Sequence, residues 1–168
     1  MNDAVPAFLQ YMTVERRMSA HTLDAYRRDL DALQRWAEAR DCSVDALDGE
    51  QLRGFVADEH RRGLSAKSLQ RRLSACRGYY AWQLKHGRLQ VDPTLGLKAP
   101  RSPRRLPQVL DADEAVRLVE LPPDGELGRR DRALLELFYS SGLRLSELCA
   151  LTWRDLDFAS GLVNVLGK

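Results

Sequence analysis

Cysteine and histidine are scarce in this 168-residue sequence, which has three of each. Cys42, Cys76 and Cys149 lie far apart and lack the paired spacing of a zinc site or a disulfide framework. We therefore expect buried thiols, no metal and no other cofactor. No apolar run approaches the roughly 18 residues of a membrane span, and residues 1–10 lack the basic and apolar segments of a signal peptide. These absences predict a cytoplasmic protein without a membrane partner.

Acidic residues are almost missing from residues 61–105, although the whole chain has a formal net charge of only +2. This segment holds twelve Lys or Arg residues and one acid, Asp92, which gives it a net charge of +11. Residues 106–168 carry seven basic and eleven acidic residues, a net charge of −4. A block of like charge is often ordinary solvated surface, but an excess of this size favours binding to a polyanion.

Apolar residues recur at spacings of three and four through the first part of the chain, the pattern of amphipathic helices. The first predicted helix spans about residues 3–17. Ser19, Asp48 and Ser65 are residue types that cap helix N-termini, and each precedes a further predicted helix. Gly87 is placed to end the last of these helices. The sequence thus predicts a four-helix domain.

The fourth predicted helix has two different faces when its residues are placed 100° apart. Its predicted inward face is apolar and consists of Leu69, Leu73, Cys76, Tyr80 and Leu84. Its predicted outward face carries cations with small residues between them, namely Lys67, Arg71, Ser74, Gly78 and Lys85. Such a face can approach a phosphate backbone or enter a major groove. An ordinary solvated helix face is the alternative.

A composition change after Pro93 marks a domain boundary. The stretch GLKAPRSPRRLP, residues 96–107, contains three prolines and four cations, which favours an extended linker. It could wrap a nucleic acid or act as a simple spacer. We predict a helical domain at residues 1–95 and a second domain at residues 108–168.

Helices are also predicted in the second domain. Asp111 and Glu114 have the spacing of a capping box, and Gly142 stands where a second helix would end. The first of these helices contains the apolar residues Val116, Leu118, Val119 and Leu121. The residues of the second that are predicted to face inward are Leu134, Leu135, Leu137 and Phe138. After a short helix in SELCAL, residues 152–161 are predicted to be turn-rich and residues 162–168 to form a β segment.

Arg144 is a single cation among leucines, directly after the predicted helix stop. A guanidinium is costly to bury unless an anion meets it. The partner is either a protein carboxylate, for which Glu147 is placed, or a ligand phosphate.

These stretches carry a family resemblance. GRRDRALLELFYSSGLRLSELCALTWRDLDFASGLVNVLGK, residues 128–168, resembles the opening of the catalytic domain of tyrosine recombinases of the Xer type, with its G-L-R-x-S-E-L motif and a later G-K. Residues 1–107 resemble the helical core-binding domain of that family, including S-x-x-T-L-x-A-Y-R-R-D-L at residues 19–30. Within the Xer type the resemblance is closest to the XerC group.

The resemblance implies a fold and an activity. The fold would be mainly α: a four-helix, SAM-like core-binding domain, a linker and the truncated start of an α+β catalytic domain. The family cuts and rejoins DNA at specific sites through a 3′-phosphotyrosyl intermediate, without metal or nucleotide. The Xer type resolves chromosome dimers at cell division. Its implied partners are a double-stranded recombination site, a paired recombinase of the XerD type in a tetramer, and a DNA translocase of the FtsK type.

Roles for individual residues follow from the resemblance. Arg144 matches the first catalytic arginine, which would stabilise charge on the phosphate. Lys168 matches the lysine that protonates the leaving oxygen, but as the final residue of the sequence it is expected to be a solvated end without a catalytic position in this chain. Glu147 matches an acid that orients the site. We predict DNA contacts from cations of the helical domain and linker, namely Arg27, Arg28, Lys67, Arg71, Arg72, Lys85, Arg101, Arg104 and Arg105.

The sequence departs from the family pattern after Lys168. It has no H-x-x-R box, and we expect none of its five tyrosines to act as nucleophile. Tyr139 lies near Arg144 in sequence, but we interpret it as a packed helix residue. The chain is therefore predicted to bind DNA without cleaving it, as a fragment of a recombinase. The alternative is a non-catalytic protein that occupies or regulates a recombination site; a helical protein-interaction domain is disfavoured by the +11 segment.

Overall fold

The computed structural model describes residues 4–100, 106 and 108–165. Arg101, Arg104, Arg105 and Lys168, which the sequence nominated as site residues, lie outside the described residues. The chain divides into two compact units, Met1–Arg104 and Arg105–Lys168.

The first unit is helical throughout its described secondary structure. It contains α1 (Ala4–Val14), α2 (Ala20–Glu38), a 3-10 helix (Val44–Ala46), α3 (Gly49–Arg61) and α4 (Ala66–Lys85). The four α-helices correspond to the four that apolar spacing predicts. The short 3-10 helix was not predicted, because three residues are too few for a periodic signal.

Side-chain caps begin α2, α3 and α4 at the three predicted residues. Ser19 Oγ accepts a hydrogen bond from the backbone N–H of Thr22, and Ser65 Oγ accepts one from Ser68. Asp48 forms a capping box with Gln51, in which each side chain accepts from the other residue's backbone N–H. A cap of this kind stabilises a helix by about 1 kcal/mol. The three predicted helix starts are therefore confirmed. They could be predicted because capping involves residues only two or three positions apart.

The core of the first unit lies where α2 packs against α1 and α4, and α4 against α3. Phe8 of α1 contacts the rings of Tyr79 and Trp82 on α4, and Trp36 of α2 contacts Phe55 of α3. Large side chains of this kind stabilise a fold by about 1.5–3 kcal/mol each when fully buried. The core therefore holds α4 between the other helices and leaves one of its sides exposed.

Two residues of α4 lie differently from the prediction. Gly78, predicted to face outward, is half-buried, and a Cβ there would lie 3.4 Å from a ring carbon of Phe8. Leu84, predicted to face inward, is exposed. Gly78 differs because α1 covers α4 there, which the periodicity of α4 alone could not reveal.

The second unit contains α5 (Ala112–Glu120), α6 (Glu126–Ser141), α7 (Leu145–Ala150), a 3-10 helix (Trp153–Asp155) and two short strands. Strands β1 (Leu156–Asp157) and β2 (Leu162–Val163) pair antiparallel. The predicted β segment thus begins correctly, but its partner β1 lies inside the stretch that was predicted to be turn-rich.

Local signals at the ends of α5 and α6 are confirmed. Asp111 and Glu114 form the predicted capping box of α5. Gly142 ends α6 with a φ of 63°, a left-handed conformation that glycine adopts readily.

Apolar side chains of the second unit are mostly exposed. Leu148 is the one buried hydrophobic side chain among the unit's described residues, and Trp153 is 81% exposed. Leu134, which was predicted to face inward, is also exposed, as are Val116, Leu118 and Leu121. Amphipathic spacing identified the apolar side of each helix, but the described part of this unit supplies little to cover it.

No helix within the described ranges combines the length and the apolar character needed to cross a membrane.

Candidate nucleic-acid interface

The exposed side of α4 is basic and polar. Its exposed residues include Lys67, Gln70, Arg71, Ser74, Arg77, Ala81 and Lys85. The Arg77 guanidinium donates to the backbone carbonyl of Leu97, which fixes it against the chain that follows α4. Long cations with Ser and Ala between them leave room for a backbone to approach this helix.

Helix α2 extends this basic surface. Arg71 Nη1 on α4 donates to the backbone carbonyl of Ala25 on α2, at 3.2 Å. Arg28 lies three residues after Ala25 and Ala32 four residues after Arg28, so the three share one helical face beside α4. We call the exposed cations Arg28, Lys67 and Arg71 the α2/α4 face. Lys85 is also exposed, but it lies near the other end of α4, with Nζ 5.9 Å from the centroid of the Tyr11 ring of α1.

Arg27, a predicted DNA contact, lies apart from this face. It lines a groove between α1 and α2 together with Leu9, Gln10 and Asp31. Neighbouring residues of a helix point about 100° apart, so Arg27 and Arg28 lie on different surfaces of α2.

A buried carboxylate lies beneath the α2/α4 face. The side chain of Asp29 on α2 is 1% exposed and accepts hydrogen bonds from Arg71 Nη1 and, at 3.2 Å, from Arg72 Nε. The Arg71 side chain remains partly exposed although its Nη1 donates to Asp29. Arg71 is thus both anchored to α2 and open to solvent.

Arg72 joins three helices. Its side chain is 13% exposed; besides Asp29 on α2, it pairs with Glu59 on α3, which also accepts from Arg62 at 3.0 Å. Little of Arg72 is left to reach a ligand, so the predicted direct contact with DNA needs correction. Removing one partner of a buried ion pair costs about 3–5 kcal/mol, because the other charge is left uncompensated. Arg72 therefore positions α4 rather than extending the basic surface.

Arg144 lies at the start of α7 and is exposed. The side chain is 65% exposed, so Arg144 is not buried among the neighbouring leucines. Its Nη1 donates to Glu147 Oε1 at 2.6 Å, and its backbone N–H donates to Glu147 Oε2 at 2.8 Å. Of the two partners that the sequence left open, the structure contains the carboxylate.

The pair also fixes the charge of Glu147. The backbone hydrogen bond from Arg144, followed by the side-chain bond, holds the pKa of the Glu147 carboxyl below its usual range. The guanidinium has five N–H donors, and the bond to Glu147 engages Nη1 alone. Arg144 can therefore bind a phosphate while one of its nitrogens stays on Glu147.

The tyrosines differ in their surroundings. Tyr79 and Tyr80 are fully buried, and the Tyr80 hydroxyl donates to the carbonyl of Val44 at 2.7 Å. Burial raises the pKa of Tyr80 far above its usual value. Tyr139 is 62% exposed, so packing does not explain it and that interpretation is wrong. Spacing placed Tyr139 on α6, but exposure depends on what covers that helix.

The thiols also differ from one another. Cys76 is buried, and desolvation raises its pKa to about 12. Cys42 is half-buried and Cys149 is exposed, so the prediction of three buried thiols is wrong for Cys149. The described residues hold no group of three or more metal-ligating side chains.

Comparisons with known proteins agree along nearly the whole chain. Residues 5–87 match the family described as "Phage integrase, N-terminal SAM-like domain", and residues 108–168 match the "Phage integrase family". The protein named "Tyrosine recombinase XerC" of Xanthomonas campestris pv. campestris (strain B100) is 71% identical over 167 residues. The chain belongs to the tyrosine recombinase family. The matches confirm the resemblance that the sequence carries.

The comparisons also show how much of a recombinase is present. The Xanthomonas alignment covers 99% of this chain and 52% of its relative. The XerC of Xylella fastidiosa (strain 9a5c) is 62% identical over 169 residues. That alignment covers 100% of this chain and 58% of the Xylella protein. The chain thus spans about half the length of the curated relatives it matches.

A solved structure supports the fold. The structure titled "Integrase from mycobacterium phage Brujita" superposes with a TM-score of 0.55 at 18% sequence identity. The superposition covers 98% of this chain and 54% of the integrase chain. Together with the family matches it confirms the predicted fold class: mainly α, with a SAM-like N-terminal domain followed by part of the catalytic domain.

Sequence reasoning missed the two acids under the interface. Asp29 sits where the apolar stripe of α2 would continue, between Tyr26 and Leu33. An acid at such a position signals a buried ion pair, because an unpaired carboxylate is costly there. Glu59 on α3 is likewise a buried acid. Neither position in the sequence shows that Arg72 is the partner of both acids.

Proposed function

We propose that this chain binds double-stranded DNA through the α2/α4 face as the DNA-gripping part of a XerC-like, site-specific tyrosine recombinase. The observation that carries the proposal is the placement of Arg28, Lys67 and Arg71 as exposed cations on two packed helices, which Arg71 joins through its bond to Ala25. Side chains of this type bind backbone phosphates, and the polar and small residues of α4 between them admit a duplex.

Arg144 would act on the phosphate where a strand is cut. Its exposed guanidinium can donate two directed hydrogen bonds to the non-bridging oxygens, which gain charge as the bond breaks. Glu147 would keep the guanidinium oriented through the bond that the structure contains. By resemblance, Lys168 would protonate the leaving oxygen.

The whole recombinase would act with partners. We propose that it exchanges strands at a specific site, in a tetramer with a recombinase of the XerD type. A division-linked DNA translocase of the FtsK type would control it during chromosome partition in the cytoplasm. The support is the likeness to proteins named XerC.

Fluorescence anisotropy with a labelled 30-base-pair duplex tests the DNA-binding proposal. Neutralising about six phosphates would give a slope near −5 for log affinity against log salt. We expect Lys67→Glu to weaken binding about tenfold and Arg53→Glu, on the exposed part of α3, to change it little. Binding that does not depend on salt, or equal losses in both variants, would contradict a duplex on the α2/α4 face.

A further inference from the structure

We propose a second phosphate-binding site, in an arginine-lined cleft at the C-terminal half of α2, that takes a backbone phosphate of the same duplex. The inference rests on the DNA-binding function proposed above. It adds three arginines, Arg35, Arg40 and Arg62, which the sequence did not nominate as DNA contacts.

The cleft has a volume of about 400 Å³ and is built from three helices and the chain next to them. Its lining includes two small apolar residues, Ala32 of α2 and Ala39 directly after it, which leave space between the cations. The charged and aromatic lining residues are Arg35, Trp36, Arg40, Glu59, Arg62 and Arg72. Arg35, Arg40 and Arg62 thus approach the same space from the C-terminal ends of α2 and α3, while Arg72 of α4 stays paired with Asp29 and Glu59.

Two of the arginines are held in place but keep free donors. Arg40 lies 3.9 Å from the centroid of the Trp36 ring and donates through Nη1 and Nη2 to the Trp36 carbonyl and to Asp58. Arg62 is 70% exposed and donates to Glu59 through Nη1. Each guanidinium has five N–H donors, so both can still donate a hydrogen bond to a phosphate oxygen.

Arg35 supplies charge that no acid compensates. Its side chain is exposed and makes no hydrogen bond or ion pair with another described side chain, and its backbone carbonyl is engaged by the N–H of Ala39. The two acids at the cleft are already engaged: Asp58 by Arg40 and Arg61, and Glu59 by Arg62 and Arg72. The cleft therefore has an excess of positive charge and attracts an anion.

The position of Arg35 makes a DNA phosphate the fitting ligand. Arg35 follows Arg28 by seven residues on α2, which places it about 10 Å farther along the helix axis. This distance corresponds to about three steps along a duplex, at 3.4 Å each. One duplex can therefore contact both the α2/α4 face and the cleft.

Substitutions in the full chain test the site. Arg35→Gln removes a side chain without a partner, and Arg35→Gln combined with Arg62→Gln removes two cations. We expect about tenfold weaker binding of the labelled duplex at 0.1 M salt for each lost contact, and a salt slope smaller by about one. The control is Arg53→Gln, which lies on the opposite side of α3 from Arg62, nine residues away.

The outcomes separate the two proposals. If the wild-type chain binds the duplex and both cleft variants retain its affinity and slope, the cleft is not a phosphate site and the α2/α4 face stands. If the wild-type chain does not bind the duplex, both proposals fail. Thermal melting shows whether a variant is folded, and Arg35→Gln alone keeps the test decisive if the double variant unfolds.

Discussion

Arg72 and Asp29 form an ion pair between α4 and α2, with Nε and Oδ1 3.2 Å apart and both side chains largely buried. The pair lies directly under the surface proposed to bind DNA. We therefore expect the pair to affect DNA binding by holding α4 in position, without either side chain contacting the DNA.

Asp29→Asn should lower the free energy of unfolding by about 3 kcal/mol, because it leaves Arg72 buried with one anion fewer. Urea denaturation measures the change. Asp24→Asn, at an exposed position of the same helix, is the matched control and should change stability by less than about 0.5 kcal/mol. Equal stability of Asp29→Asn and the wild type would show that the ion pair does not hold the helices together.

Arg71→Glu should weaken duplex binding much more than Arg144→Ala, by about tenfold or more at 0.1 M salt. The first variant reverses a charge on the α2/α4 face, whereas the second removes one contact from another part of the chain. Because the new carboxylate would lie beside Asp29, Arg71→Gln is needed as a milder variant, with melting curves for both. Similar losses for Arg71→Glu and Arg144→Ala would contradict the assignment of α4.

Glu147 should titrate below the ordinary glutamate range of about 4.3, because hydrogen bonds from Arg144 favour its charged form. A lowered folded-state pKa means that Glu147 stabilises the fold at neutral pH and loses this effect as the pH falls through that pKa. NMR titration of the side-chain carbonyl carbon checks this. In Arg144→Ala the pKa should rise only part of the way, since the backbone N–H still donates. An ordinary pKa in the wild type would rule out the capping bond.

Incubation of the 168-residue chain with a nicked suicide substrate should leave no covalent protein–DNA adduct. Tyr79 and Tyr80 are buried, and none of the three histidines is followed by arginine three positions later. A denaturing gel measures the outcome. If an adduct formed, Tyr139→Phe would identify whether the exposed Tyr139 is the nucleophile.

Features that depend on neighbours in sequence were predictable. Ser19, Asp48 and Ser65 begin their helices through contacts two or three residues away, and Gly142 ends α6 through its own backbone conformation. The basic character of α4 was also visible, since its composition and spacing determine which residues share a face.

Features that depend on distant residues were not predictable. The pairing of Arg72 with Asp29 joins positions 43 residues apart, and it converts a predicted DNA contact into a buried structural residue. The exposure of Arg144 and Tyr139 depends on what surrounds α6 and α7, which helical spacing does not describe. The cleft required the end of α3 to approach α2, so no single stretch of sequence indicated it.

The link that Arg72 makes between Asp29 and Glu59 bears on how these positions change during evolution. Losing the arginine leaves Asp29 with Arg71 as its one cation and Glu59 with Arg62, and losing one acid leaves part of the Arg72 charge unmatched. Relatives of this chain should keep all three or replace them together by apolar residues, so an alignment should show correlated substitution at positions 29, 59 and 72.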